Sequence, residues 1–215
     1  MGVVYDNNGE KQDKEYFIKK VEYMNYILQH TRNVKTAYDT LFASKNYSIL
    51  PSKITISEWS DALKILDREI LEHDQSKYGD EEFEAYRRHF HPTKKESENQ
   101  DPDVIKKEVE DFKKAWEHHY RNNDHHPQYW KYIGPDNTIL EQPSVVGAPM
   151  PLYAVMHMIC DWWAMDKYQN ITDHTEWYKG KHSEEERKCL NPETKLLLVD
   201  MFKLLYGEDV SSTIE

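Results

Sequence analysis

The sequence predicts an all-α protein. Only seven of its 215 residues are glycine, which leaves few positions for the tight turns of a strand-rich fold. Apolar residues recur at three- and four-residue steps through most of the chain, and strict alternation is scarce. There is no internal repeat and no linker-like segment, so a single domain over residues 1–215, with its core at about 13–206, is the expected organisation.

The first helix is expected from about Asp13 to Ser44, because Tyr16, Tyr23, Ile27, Val34, Ala37 and Leu41 fall on one stripe. His30 shares that stripe and so points inward. Asn46 to Ser52, with Pro51, reads as a connection. The second helix is expected over Ser57 to His73, where the row Trp59, Ala62, Leu66 and Ile70 leads to His73 and the adjacent Asp74. Gly79 and Asp80 break the chain before a third helix, Glu81 to Phe90, which stops ahead of Pro92.

Thr93 to Asp101 lacks a large apolar residue and reads as a flexible surface loop. Pro102 suits the first position of a fourth helix running to about Tyr120, and Asn122 to Pro127 ends it. Gly134 to Pro149 reads as a structured loop with a short extended piece. A fifth helix is expected over Pro151 to Tyr168. Asn191-Pro192 opens a sixth that reaches Tyr206 before Gly207, and Glu208 to Glu215 reads as a loose tail.

Charge and composition exclude several functions. The 28 Lys and Arg against 39 Asp and Glu give a net charge of −11, which argues against sequence-independent binding to duplex nucleic acid. A mean hydropathy of −0.92 describes a polar surface. The 13% aromatic content supplies the core that a disordered chain would lack. Ala148 to Met165, the longest mostly apolar stretch, is interrupted by His157 and Asp161 and does not read as a membrane span. Met1 to Glu10 has no basic region leading into an apolar core, so the expected location is cytoplasmic. Cys160 and Cys189 sit in no CxxC pair and read as reduced packing residues.

Polar residues on inward faces carry the chemistry. His30, His73 with Asp74, His119, His125 or His126, and Asp161 all fall at helix ends or on apolar stripes. Imidazole and carboxylate are the donors of a Zn, Mn or Fe site, and burying this many without an ion is costly. Phase resolves the pair His118-His119, since Ile105, Val109, Phe112 and Trp116 continue to His119 and leave His118 about 100° away. Ala154, Met158, Asp161 and Met165 share a face in the same way, so Asp161 needs a partner. His157, one turn earlier, reads as a support for that ligand set. His174 and His182 read as exposed, and Glu184-Glu185-Glu186 as solvated surface. Arg87, Arg88, His89 and His91 form a basic cluster that either selects an anionic substrate or makes ion pairs.

A His on one helix, a His-Asp pair closing another and a later Asp on a third resembles the HD-domain superfamily of metal-dependent phosphohydrolases. His73-Asp74-Gln75-Ser76-Lys77 is similar to its HDxxK variant, and the ordered set through Asp161-Trp162 is more similar still to a bacterial and phage family of small HD-like helical proteins with no assigned activity. The resemblance implies an HD-like bundle of about six main helices. It implies a core metal site from His30, His73, Asp74 and Asp161, with His119 and one or both of His125 and His126 holding a second ion. One or two divalent ions follow, from among Mn, Fe, Zn, Co and Mg. It also places Lys77 toward a substrate phosphate, with Arg32, Arg121, Arg87 and Arg88 as further anion contacts; outside the HD context Lys77 reads as a solvated lysine. The GYP signature of the cyclic-dinucleotide phosphodiesterase branch is absent, so that branch's substrate is not carried over.

The leading expectation is hydrolysis of a small phosphorylated molecule, with nucleotides as the first class, by metal-activated water. Asp74 and Lys77 are the catalytic candidates. The same HDxxK scaffold supports di-iron oxygenation, and a silent, metal-stabilised binding module is the third reading.

Overall fold

The computed structural model describes residues 14–43, 47, 49–169 and 184–207. Among them the chain is all-α: eight α-helices, six of them of seven residues or more, and no strand beyond one isolated bridge between Ile133 and Ile139. The long helices are α1 (Lys14–Tyr38), α2 (Ile56–Glu69), α3 (Phe83–Phe90), α5 (Pro102–Asn122), α6 (Leu152–Tyr168) and α8 (Pro192–Tyr206). Two short ones, α4 (Lys94–Ser97) and α7 (Glu184–Cys189), complete the set. No helix among the described residues is long and apolar enough to cross a membrane. The tail after Gly207, the Met1 to Glu10 segment, His174 and His182 lie outside the described residues.

Helix boundaries follow local chemistry. The first helix passes at Tyr38 into a π-helical turn, Asp39–Ala43, which buries Leu41 and Phe42. Helix α2 starts at a complete capping box: Glu58 N donates to the Thr55 hydroxyl and the Glu58 carboxylate accepts from Thr55 N. It ends at Glu69, four residues earlier than expected, and His73 sits in the turn that follows. Asp74 then takes a left-handed conformation, φ 58°, and leads into the 3-10 turn Gln75–Tyr78. Asp pays less than most residues for that backbone. Pro192 occupies the first turn of α8, whose Asn191 cap accepts from Glu193 N, and Gly207 ends it at φ 71°.

The chain forms two compact units. The first comprises Met1–Gln29 and Asp74–His119. Tyr23 and Ile27 from α1, Tyr86 from α3 and Ala115 from α5 make its core, with Phe83, Phe112 and Trp116 packed against them. Its most buried cation is Arg87, whose side chain is 1% exposed. The guanidinium donates to Glu84 at 2.8 Å and to both carboxylate oxygens of Glu96 at 2.7 and 2.6 Å. This corrects two expectations. Arg87 has spent its donors inside the protein and offers none to a substrate. Thr93 to Asp101 is not a featureless loop, because Thr93 and Glu96 cap α4 and the same Glu96 anchors Arg87.

The second unit comprises His30–His73 and Tyr120–Glu215. Helix α6 is buried nearly all round, which its sequence foreshadows in a run of apolar residues with few charges. Leu66 of α2 and Ile70 just after it, Met156 and Ile159 of α6, and Leu198, Met201 and Phe202 of α8 belong to one apolar cluster. His157, Asp161 and Asp166 of α6 are buried within this unit as well.

Candidate functional site

In the second unit the inward stripe of α1 delivers His30, the turn after α2 delivers His73, and α6 delivers His157 and Asp161. All are at most 9% exposed. His30 Nε2 lies 3.0 Å from His73 Nε2 and 3.0 Å from Asp161 Oδ1, and His73 Nε2 lies 3.8 Å from the same oxygen. Two imidazoles and a carboxylate thus converge on one point. The circle through these three atoms has a radius of about 1.9 Å, so an ion with bonds of about 2.1 Å reaches all three at once. The residues present fit a divalent transition ion.

The far side of His73 is also held. Its Nδ1 lies 2.9 Å from His157 Nε2, so a proton on His73 Nδ1 donated to His157 leaves the Nε2 lone pair facing His30 and Asp161. His157 is therefore placed as the supporting residue that its spacing from Asp161 suggests. His125 lies with its ring centroid 4.6 Å from that of His73 and 4.4 Å from that of His157, and these three form a second group able to hold an ion. His126 turns its Nδ1 to within 3.5 Å of Glu186 Oε1. Glu186 also accepts from the indole N–H of Trp162 at 3.0 Å and is buried, so it does not belong to a solvated acidic run.

The first unit carries a polar cluster of its own residues. Asp74, 1% exposed, accepts from Lys77 Nζ at 2.5 Å through Oδ2, and its Oδ1 lies 3.3 Å from His119 Nε2. His119 Nδ1 faces Glu82 Oε2 at 2.9 Å, and His118 Nδ1 faces Glu82 Oε1 at 2.7 Å. Glu82 is fully buried. Desolvation favours its neutral form, but the bonds from His119 and His118 outweigh burial and hold its carboxyl below the ordinary carboxylate range. Lys77 is mostly enclosed and packs over the Tyr86 ring at 5.8 Å, so it is no solvated surface lysine.

His119 is fully buried and His118 partly exposed, as the helical phase predicts, although Ile105 and Val109 of the same stripe are 42% and 65% exposed, so the stripe turns inward only from Phe112 on. Sequence reasoning missed Glu82, which binds both. Replacing His119 by alanine takes one partner from each of two buried carboxylates, leaving Asp74 with Lys77 and Glu82 with His118, whereas His118→Ala removes one bond at the edge. Urea melts are expected to show a loss of about 2 to 3 kcal/mol for His119→Ala and about 1 kcal/mol for His118→Ala. Equal losses would contradict the assignment.

The remaining basic candidates are dispersed. Arg88 lies 3.5 Å from Asp111 in the first unit. In the second unit Arg32 is exposed on α1, and Arg121 stacks on the Tyr132 ring at 4.5 Å. His89 stacks on Phe112 with ring centroids 3.8 Å apart, and burial pushes its imidazole below the ordinary value. None of these contacts identifies an anion.

No curated protein and no solved structure matches the chain. The model of DUF5662, a family of unknown function, matches residues 19–204, and the chain belongs to that family.

Proposed function

We propose that the chain is an HD-type metal-dependent phosphohydrolase that acts on a small phosphorylated molecule, with nucleotides as the first class to test. The convergence of His30, His73 and Asp161 on one ion-sized point carries this reading. Two imidazoles and a carboxylate suit Mn, Fe, Co or Zn better than Mg. A bound divalent ion supplies Lewis acidity toward a phosphoryl oxygen and brings the pKa of water toward neutrality.

The chain's own residues do the rest. His157 fixes the orientation of His73, and burial of the triad excludes bulk water from its donors. Lys77, three residues after Asp74, supplies an ammonium for the substrate phosphate, and Asp74 holds that ammonium in place. A second ion would draw on the remaining histidines.

Lys77→Ala is expected to keep the metal content of the parent and to lower turnover by roughly 30- to 1,000-fold, the loss of about 2 to 4 kcal/mol of transition-state stabilisation. Lys77→Arg is expected to restore little, since a planar guanidinium does not replace a compact ammonium. Full activity in Lys77→Ala would remove Lys77 from the reaction.

The enzyme reading is tested by phosphate release from a panel of nucleotides and sugar phosphates, with and without chelator. Chelator-sensitive release is the expected result. Metal-loaded protein that releases no phosphate would overturn it, and bound iron with oxygen uptake would point to oxygenation on the same residues.

A further inference from the structure

Two surface features outside the polar clusters complement each other. The first is on α1, in the first unit. Phe17, Val21, Met24 and Leu28 recur at steps of four, three and four, the seam of a helix that packs on a partner. Each is at least 39% exposed, as is Ile18 beside them. This face is distinct from the buried stripe of Tyr23 and Ile27, being turned about 110° away around the helix. Lys14 and Lys20 flank it on its two sides; Glu22 of the same helix is paired with Lys19 at 2.8 Å, and Asp80 and Glu84 line a pocket with Lys20 and Met24.

The second feature is a groove of about 710 Å³ in the second unit. Its floor is apolar, from Ala62 and Ile65 of α2, Met150 and Leu152 before and at the start of α6, and Leu197 of α8. Its rim carries Glu58, Asp61, Glu193 and Asp200 against Lys53, and Asp61 is also paired with Lys64 at 2.7 Å, which leaves an excess of two carboxylates. The Thr55 hydrogen bonds hold the Glu58 carboxyl below its ordinary range, so the rim is anionic at neutral pH. A volume of this size accepts a row of side chains, and the excess of carboxylates selects an occupant with flanking cations.

We propose that the lysine-flanked stripe of α1 from one copy docks in the acidic groove of a second copy. The occupant is another copy of this chain because it carries an apolar row and cations to match the groove's floor and rim, at equal concentration. Pairing of α1 with α1 would instead set lysine-flanked faces against each other. Stripe and groove are different surfaces, so a single contact is heterologous and leaves one stripe and one groove open, whereas two copies that exchange stripes about a two-fold axis close as a dimer.

Sedimentation velocity on the full chain tests this. The parent is expected to associate with rising concentration, to a dimer where two copies exchange stripes and past it where the contact stays open. Met24→Glu puts a charge in the stripe, and Asp61→Lys with Glu193→Lys reverses the rim; both sets are exposed positions, and thermal melts check that each variant is folded. Each variant alone is expected to weaken association at least about tenfold. Mixed one to one, they are expected to form a dimer and nothing larger, since only one intact stripe and one intact groove remain. A parent that stays monomeric overturns the proposal, whether or not the stripe then binds anionic phospholipid vesicles. Variants that still associate alone, or folded variants that fail to pair when mixed, overturn it too.

Discussion

Replacing His73 by alanine is expected to abolish metal binding and to lower the melting temperature of the metal-loaded protein to or below that of the chelated parent. His73 stands at the centre of the buried donor set: one ring nitrogen faces His30 and Asp161, and the other faces His157. Removing the ring takes away one of three converging donors. It also leaves His157 Nε2 without the bond that orients it. An ion that binds only the folded state adds RT ln(1 + [L]/Kd) to stability, or about 2.7 kcal/mol at a hundredfold excess over Kd. Element analysis and melts with and without chelator measure both effects. Metal content equal to the parent's would remove His73 from the site.

Glu96→Ala is expected to cost about 3 kcal/mol in urea melts, because it leaves the buried Arg87 guanidinium with Glu84 as its one carboxylate partner. The same pair gives the stability of the parent an acid limb. Burial disfavours the Glu96 carboxylate, but the Arg87 hydrogen bonds and the Thr93 amide and hydroxyl outweigh it and hold the carboxyl at about 2. The unfolded value is about 4.3. The contribution of Glu96 is therefore present in full above that value and is lost as pH falls from there toward 2. Melts across this window should show a smaller acid-induced loss in Glu96→Ala than in the parent. An identical acid limb in both would show that Glu96 does not set it.

The long helices are legible in the sequence because each has a three- or four-residue apolar repeat and a chemical stop, such as Pro102 at the start of α5 or Gly207 after α8. His30, His119 and Asp161 are legible for the same reason, since each continues an apolar stripe. Glu82 is not. It closes the run Asp80-Glu81-Glu82 and looks like solvent-facing acid; its burial depends on His118 and His119, which only the folded chain brings to it. Glu186 is hidden in the same way within a triple-Glu run, drawn in by Trp162. For Arg87 the sequence leaves substrate contact and ion pairing both open, because its partner Glu96 lies in a segment without apolar residues, where periodicity has nothing to report. Non-local charge pairing, in each case, is what periodicity along the chain does not encode.

His30, His73 and Asp161 form a group able to hold a metal ion. Titration of metal-stripped protein with Mn²⁺, Fe²⁺, Co²⁺ and Zn²⁺, followed by calorimetry and thermal melting, tests it most directly. The account predicts saturable binding of at least one of these ions with a raised melting temperature, both absent in His73→Ala. A stripped, folded protein that binds none of the four and melts at an unchanged temperature in their presence would contradict it.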